Sequence, residues 1–457
     1  MNYLKKMKSL SAQNKTVIFN MLGAFFVKGF SLCLSLVTMP AYIRYFHDQT
    51  ILGIWYTIIS VLNWVMYFDL GLGNGLRNKL PKAIAENDMK KVKEYISTTY
   101  ITMSGLVLVL LLIGSMAIPH LNWNAILNVP SNVAENDTLA ICVAIVFAGI
   151  MLQFIVKLVA SVLYALQKSA IVNFLTLCSS LIILISLYIM PSSTMAMNLW
   201  RMAIVNVVAM TVPYLVASFI VYIKLLPGTA PRVRFFRAGM VSSVLKIGVS
   251  LLWLSLVFMI ISSTNEFLIS YFTAPEYVVE YQAYYKVFKT GAMLFSLALT
   301  PIWSAVTKAQ AAKDYKWIAK IYRLFLLATG GCLLIELLII PILQPFMNIW
   351  LGTGAIDVNV WYAVAFAFSG TIFVLHNVNT SISNGISYFK IQMIWMTFAA
   401  IIDIPLSYFM VQLVGGWIGI VIANVLALLP YELIAPIYTF KRLMQESRGL
   451  VNREDEN

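Results

Sequence analysis

The chain has 457 residues, of which 60% are hydrophobic and only 11% charged, with a mean hydropathy of +0.83. Soluble domains carry about 25% charged residues, so this composition excludes a water-soluble globule and requires a multi-spanning membrane protein. A net charge of +13 raises nucleic acid as a partner, but in a membrane protein the distribution of the bases between loops accounts for it without one.

A membrane helix takes about 20 mostly apolar residues. Twelve stretches qualify: 16–40, 50–73, 95–118, 139–166, 169–190, 200–223, 247–272, 280–305, 320–345, 360–385, 390–413 and 416–438. The basic start "MNYLKKMKSLSAQNK" runs straight into the first span. No short apolar core with a small-residue cleavage site follows it, so an uncleaved N-terminus is expected. Most of the 32 bases fall in one set of segments: the N-terminus, the even-to-odd loops and the C-terminus, with Lys90, Lys91, Arg232, Arg237, Lys316 and Lys441 among them. The opposite set holds Arg44 and Arg201. This split predicts that both termini are cytoplasmic. Cys33, Cys142, Cys178 and Cys332 all lie in apolar runs and form no C-x-x-C pair, which argues against a disulfide framework and against a metal site.

The second span ends in "FDLGLGNGLRNKL", residues 68–80. A phosphate-binding glycine loop must follow a strand and open a helix. Here Gly71, Gly73 and Gly75 follow a membrane span at G-x-G-x-G spacing, which excludes the nucleotide reading. The plain alternative is a helix end with small residues for close packing and bases at the interface. Asp69 is costly inside a membrane unless paired or wetted. Asn74, Arg77 and Asn78 share one helix face by i, i+3, i+4 spacing, which suits a water-filled cavity.

An internal repeat is written at an offset of about 226 residues. Lys82, Ala83, Ala85, Asp88 and Lys90 match Lys308, Ala309, Ala311, Asp314 and Lys316 without a gap, and "RYF" at 44–46 pairs with "SYF" at 270–272. Spans 1–6 and 7–12 then form two halves, 1–226 and 227–457. Six being even, the halves enter from the same side as parallel repeats about an axis along the membrane normal. The expected fold is an all-α membrane protein with 12 transmembrane helices in two six-helix lobes.

Several charges fall inside the spans. Lys28 lies midway along span 1, where it either pairs with an acid or faces a cavity. Lys157, in the inner half of span 4, either snorkels or faces a cavity. Lys286 and Lys289 stand three apart in span 8 on one face with Gln282 and Tyr285. Two ammonium groups so placed repel unless an anion sits between them; snorkelling outward is the alternative. Glu266 ends the polar run "SSTNE" of span 7, Glu336 lies in span 9, Asp403 in span 11 and Glu432 in span 12. Each is open to a structural partner or to a coupling role. The stretch "HNVNTSISN", 376–384, makes the inner half of span 10 polar, with His376 as a weaker candidate for a proton site.

Trp64 with Phe68–Leu80, read as W-x-x-x-FDLGLGNGLRNKL, resembles the signature of O-antigen and related polysaccharide flippases. These form a branch of the multidrug/oligosaccharidyl-lipid/polysaccharide exporter superfamily. The likeness covers essentially the whole chain. It implies two lobes around a cavity that opens alternately to each side of the bacterial inner membrane. It implies a substrate made of a polyprenyl pyrophosphate carrying a short oligosaccharide, a unit of O-antigen, lipopolysaccharide or related polysaccharide biosynthesis. It also implies basic cavity residues; Lys28, Arg77, Lys157, Lys286 and Lys289, with the polar Asn74 and Asn78 beside Arg77, are the candidates for the cavity. Coupling to H+ or Na+, with no other cofactor, would engage Asp69, Glu266, Glu336 or Asp403. Membrane lipids and other membrane proteins of polysaccharide assembly are the candidate partners.

The chain carries no ATP-binding loop, and no catalytic chemistry is expected. A cation-coupled drug exporter of the same fold is the alternative, but exporters of cationic drugs need an acidic or apolar cavity, and four span-embedded lysines argue the other way. A membrane glycosyltransferase or polymerase ranks lower. Its acids and bases would sit on a large external loop, and the longest one here, about 119–138, offers only His120, Glu135 and Asp137.

Overall fold

The computed structural model describes residues 27–448 apart from 28, 32, 67–70, 167, 387 and 389, with the backbone alone at 78 and at several other helical positions. All regular structure among the described residues is helical. The chain divides into two compact units, 1–255 and 256–457.

Unit 1 begins with α1 over 33–46. It continues with α2 (Gln49–Val65), α3 (Leu72–Ala85), α4 (Met89–Ala117), the short α5 (Trp123–Leu127), α6 (Asn136–Val156), α7 (Leu158–Ala165), α8 (Ser169–Ile189) and α9 (Met195–Ile220). Helix α10 (Ala238–Ser262) leads into unit 2, which holds α11 (Asn265–Phe272), α12 (Tyr277–Ala311), α13 (Tyr315–Leu351), α14 (Val360–Gly385), α15 (Lys390–Val414) and α16 (Ile418–Ser447). Eight segments among the described residues have the length and apolarity to cross a membrane. Their outward faces are apolar: Leu108, Leu112 and Met116 on α4 and Leu327, Leu338 and Ile349 on α13 are exposed. A surface of this kind needs hydrocarbon against it.

The repeat holds at the level of hydrogen bonds. Helices α4 and α13 start 226 residues apart, each capped by an aspartate: Asp88 accepts from the N–H of Lys91 and Asp314 from that of Trp317. These side chains satisfy an N–H that the helix itself leaves open. The residue before each cap is left-handed, with φ 53° at Asn87 and 57° at Lys313. The turn closes alike in both, Asp88 N–H to Ala83 O at 3.0 Å and Asp314 N–H to Ala309 O at 2.9 Å. Helices α1 and α11 likewise end one offset apart, at 46 and Phe272.

Three of the expected spans are not continuous. Span 2, expected over 50–73, ends at Val65. The chain turns at Gly71, whose φ of +67° is left-handed and carries little cost only for glycine, before α3 begins. Span 4 is interrupted at Lys157, between α6 and α7. Span 7 is interrupted at Ser263 and Thr264, between α10 and α11. In each case a polar residue or a glycine sits at the break.

Candidate functional site

In unit 1 the glycine cluster packs α3 against α7. Gly73 is buried, and a Cβ on it would stand 2.8 Å from Ser161 Oγ. One turn on, the Arg77 guanidinium lies 4.4 Å from the centroid of the Tyr164 ring. Beside this contact is a cavity of about 140 Å³ lined by Met66, Gly73, Met103, Gln153, Lys157 and Ser161. Lys157 occupies the break that ends α6, with its ammonium 5.8 Å from the Tyr214 ring centroid. Among the described residues no carboxylate lies within 4.0 Å of it. An aromatic face can hold an ammonium, but it does not neutralise it.

Unit 2 has a smaller cavity of about 40 Å³, room for one or two waters, between α10, α11, α12, α14 and α16. Tyr281, Tyr285, Lys289, Phe373, His376 and Asn424 are among its walls. The Lys289 ammonium sits 3.6 Å from the Phe373 ring centroid and 5.1 Å from that of Tyr285. It too has no carboxylate within 4.0 Å among the described residues. Glu266 and Glu336 are the acids whose charge reaches it. Both are engaged: Glu266 accepts from Gln282 at 2.6 Å and Glu336 from Thr371 at 3.0 Å.

Two hydrogen-bonded chains cross this unit. In the first, Asn265 Nδ2 donates to Tyr281 Oη at 3.1 Å and to Asn424 Oδ1 at 2.7 Å, and Asn424 Nδ2 donates to Asp403 Oδ1 at 2.7 Å. Asp403 is fully buried, and three oxygens of this neighbourhood, Asp403 Oδ2, Asn265 Oδ1 and Ser407 Oγ, have no hydrogen-bond partner among the described residues. Buried acceptors left open are costly; a proton or a small cation seated among them removes that cost. In the second chain, His376 Nδ1 meets Glu432 Oε1 at 2.9 Å, and Asn379 Nδ2 donates to Glu432 Oε2 at 2.6 Å. Tyr322 Oη donates to Asn379 Oδ1 at 2.6 Å. His376 also stacks on Phe258, with ring centroids 5.5 Å apart.

Of the residues singled out in the sequence, Lys28 and Asp69 lie outside the described residues, as does the side chain of Asn78. Asn74 and Arg77 are exposed on α3. Lys286 and Lys289 both lie on α12, and Lys289 is the one that lines the cavity. Asp403 belongs to the first buried chain, and His376 and Glu432 form the second with Asn379 and Tyr322. Asn424 escaped notice, its only sequence signal being a single polar residue in the apolar run "GIVIANVLALL".

No protein-family model matches the chain, and no curated protein matches it in sequence. Solved structures do match. One is the inward-facing conformation of a multidrug resistance MATE family transporter of the MOP superfamily, with TM-score 0.73 and 14% identity over 92% of this chain and 96% of that one. The fold is that of the MOP-superfamily transporters. The lipid II flippase MurJ, in an inward closed conformation, matches with TM-score 0.67 and 15% identity over 93% of this chain and 90% of that one. A MOP-superfamily transporter from Pyrococcus furiosus, whose reversed pocket polarity suggests a different function for it, matches with TM-score 0.60 and 15% identity over 93% and 96%. The expected all-α, two-lobe membrane architecture agrees with this likeness. A fold that serves both multidrug transporters and a lipid II flippase does not choose between a drug and a lipid-linked substrate.

Proposed function

We propose that the chain is a flippase that moves a polyprenyl-pyrophosphate-linked oligosaccharide from the cytoplasmic to the periplasmic leaflet of a bacterial inner membrane by alternating access, coupled to H+ or Na+. One observation carries this reading. Lys157 in unit 1 and Lys289 in unit 2 are each half-buried on the wall of a cavity of its own unit, with only aromatic rings as close partners among the described residues. A lysine at mid-membrane costs about 2.5–3.5 kcal/mol on insertion scales. A phosphate-bearing ligand gives such a group charge-assisted contacts, and lysines act on it as point charges that also allow release. Four acids of unit 2, Glu266, Glu336, Asp403 and Glu432, accept hydrogen bonds from side chains of their own unit, which suits partnered acids rather than an open acidic cavity. Asp403, with two open oxygens as neighbours, is the proposed seat of the coupling ion.

The test is a pair of measurements. Deleting the protein should cause a lipid-linked oligosaccharide to accumulate in the cytoplasmic leaflet. The purified protein should bind a polyprenyl pyrophosphate, and Lys157→Gln and Lys289→Gln should each weaken that binding. Normal surface polysaccharide in the deletion strain, together with binding of cationic drugs by the purified protein, would establish the exporter reading instead.

A further inference from the structure

In unit 1 the start of α4 is covered by the chain itself. The backbone N–H of Arg232 donates to Ser97 Oγ at 3.1 Å, and that of Arg237 to Thr98 Oγ1 at 3.0 Å. The Arg237 guanidinium pairs with Glu94 at 3.0 Å. The repeat offset carries Glu94, Ser97 and Thr98 onto Lys320, Arg323 and Leu324 of α13. The equivalent face in unit 2 therefore has the opposite charge. It has bases where unit 1 has an acid and a hydroxyl.

Lys316, Lys320 and Arg323 stand at i, i+4 and i+7, one above the other on a single face of α13. All three are exposed, and none has a carboxylate within 4.0 Å among the described residues. They rim a depression of about 700 Å³ that also takes in Trp317, Leu324 and Leu327. Arg323 is held in place over the Phe440 ring of α16, 5.4 Å from its centroid. Further along α13 the same face becomes wholly apolar: Leu327, Leu334, Leu338 and Ile342 are 76%, 64%, 74% and 61% exposed. Bases near the end of a span are ordinary in themselves. Three of them in register, continuous with a lipid-facing stripe and without an acid within 4.0 Å among the described residues, two of them where the other half of the chain has Glu94 and Ser97 engaged, are not.

We propose that this face of α13 is a binding site for an anionic phospholipid. The headgroup phosphate lies on Lys316, Lys320 and Arg323, the glycerol beside Trp317, and the acyl chains along the leucines. The site is separate from the cavities that hold Lys157 and Lys289, so it stands whatever those cavities transport. Each base near a membrane surface favours an anionic lipid about fivefold, so three together give a strong preference for anionic over zwitterionic headgroups.

Trp317 supplies the reporter. The full-length protein is reconstituted in phosphatidylcholine vesicles with phosphatidylglycerol or phosphatidylcholine brominated in its acyl chains. The emission difference between the wild type and Trp317→Phe is then followed. Brominated phosphatidylglycerol should quench it at a mole fraction many-fold below that needed with brominated phosphatidylcholine. Lys320→Gln and Arg323→Gln should each reduce the preference about fivefold, Lys320→Arg should keep it, and millimolar inorganic phosphate should leave it in place. Equal quenching by the two lipids in the wild type overturns the proposal without recourse to any charge variant. So does loss of the preference on adding phosphate, which would make this a site for free anions. So does a preference that emerges only after deleting residues 449–457, which would assign the face to the acidic sequence Glu454–Asp455–Glu456.

Discussion

Lys289 lays its ammonium 3.6 Å from the centre of the Phe373 ring, on the wall of a cavity that Tyr281, Tyr285, Asn265 and Asn424 also line. A cation held by an aromatic face gains up to about 2 kcal/mol, against an insertion cost of about 2.5–3.5 kcal/mol. The two nearly offset each other, and the balance leaves the lysine a net liability to stability. Lys289→Met should therefore unfold in detergent at a temperature equal to or above that of the wild type while losing binding of a polyprenyl pyrophosphate. Lys289→Arg should keep part of the binding. A methionine variant that is destabilised by several kcal/mol would mean that the lysine serves packing.

Gly71 and Gly73 are only two residues apart and have different reasons to be glycine. Gly71 is left-handed, so alanine there costs about 1–2 kcal/mol wherever its methyl points. Gly73 is in ordinary helix but abuts Ser161 Oγ, so alanine there costs about 1–3 kcal/mol through overpacking. Ser161→Gly should recover most of the loss in Gly73→Ala and none of that in Gly71→Ala, as a double-mutant cycle on thermal unfolding would read. Equal rescue of both would put the cluster's constraint elsewhere than in the α3–α7 contact.

The His376–Glu432 pair sits among Asn379, Tyr322 and Phe258 with both carboxylate oxygens engaged. Removing one partner of such a pair strands the other's polar group and costs about 3–5 kcal/mol. Glu432→Ala should thus be severe. Glu432→Gln, which keeps an oxygen for the Asn379 amide, should be milder. A Glu432→Ala protein of near wild-type stability in thermal unfolding would show that the pair does not hold α14 to α16.

Much of this architecture can be read in the sequence, and the parts that cannot share a physical cause. Span positions follow from runs of about 20 apolar residues, and the repeat from Asp88 and Asp314, whose capping role depends only on residues three places on. The breaks at Lys157 and at Ser263–Thr264 leave the mean hydropathy of the segment nearly unchanged, so a window cannot register them. The Asp403 neighbourhood was half legible: an acid in a span draws notice, but its partner Asn424 and the amide of Asn265 that bonds it are 159 residues apart in the chain. Tertiary pairing of single polar residues leaves no local pattern. The same holds for Lys289, whose depth is a sequence observation and whose aromatic seat on Phe373 is not.

The split of the bases between loops predicts that Lys90 and Asn132 face opposite sides of the membrane. Lys90 opens α4 and Asn132 follows its far end, and both are exposed. A helix of 29 residues spans about 43 Å, enough to separate them by a bilayer. With the native cysteines replaced, a cysteine at Asn132 should react with an impermeant thiol reagent in intact cells and a cysteine at Lys90 should not. Equal labelling would refute the orientation.

Among the described residues Asp403 accepts one bond, from Asn424, while its second oxygen and the side-chain oxygens of Asn265 and Ser407 are left open. Two occupants satisfy these atoms. A proton on Oδ2 would turn that oxygen into a donor, and a monovalent cation would draw on the open oxygens as ligands. They separate by linkage, because a ligand that binds only the folded protein raises its stability by RT ln(1 + [L]/Kd). If the occupant is sodium, NaCl should raise the unfolding temperature of the wild type above its value in the same concentration of KCl, reflecting a stabilisation of about 2.7 kcal/mol at a hundredfold excess over Kd. Asp403→Asn should erase that difference. If the occupant is a proton, the two salts should act alike, and Asp403→Asn, which resembles the protonated acid in shape, should match the wild type in stability while transport no longer responds to a pH gradient. In both cases binding of a polyprenyl pyrophosphate at Lys289 should survive in Asp403→Asn. A variant whose transport responds to sodium and pH gradients as the wild type does would remove Asp403 from the coupling role and leave its open oxygens as a local cost of packing α11, α15 and α16 together.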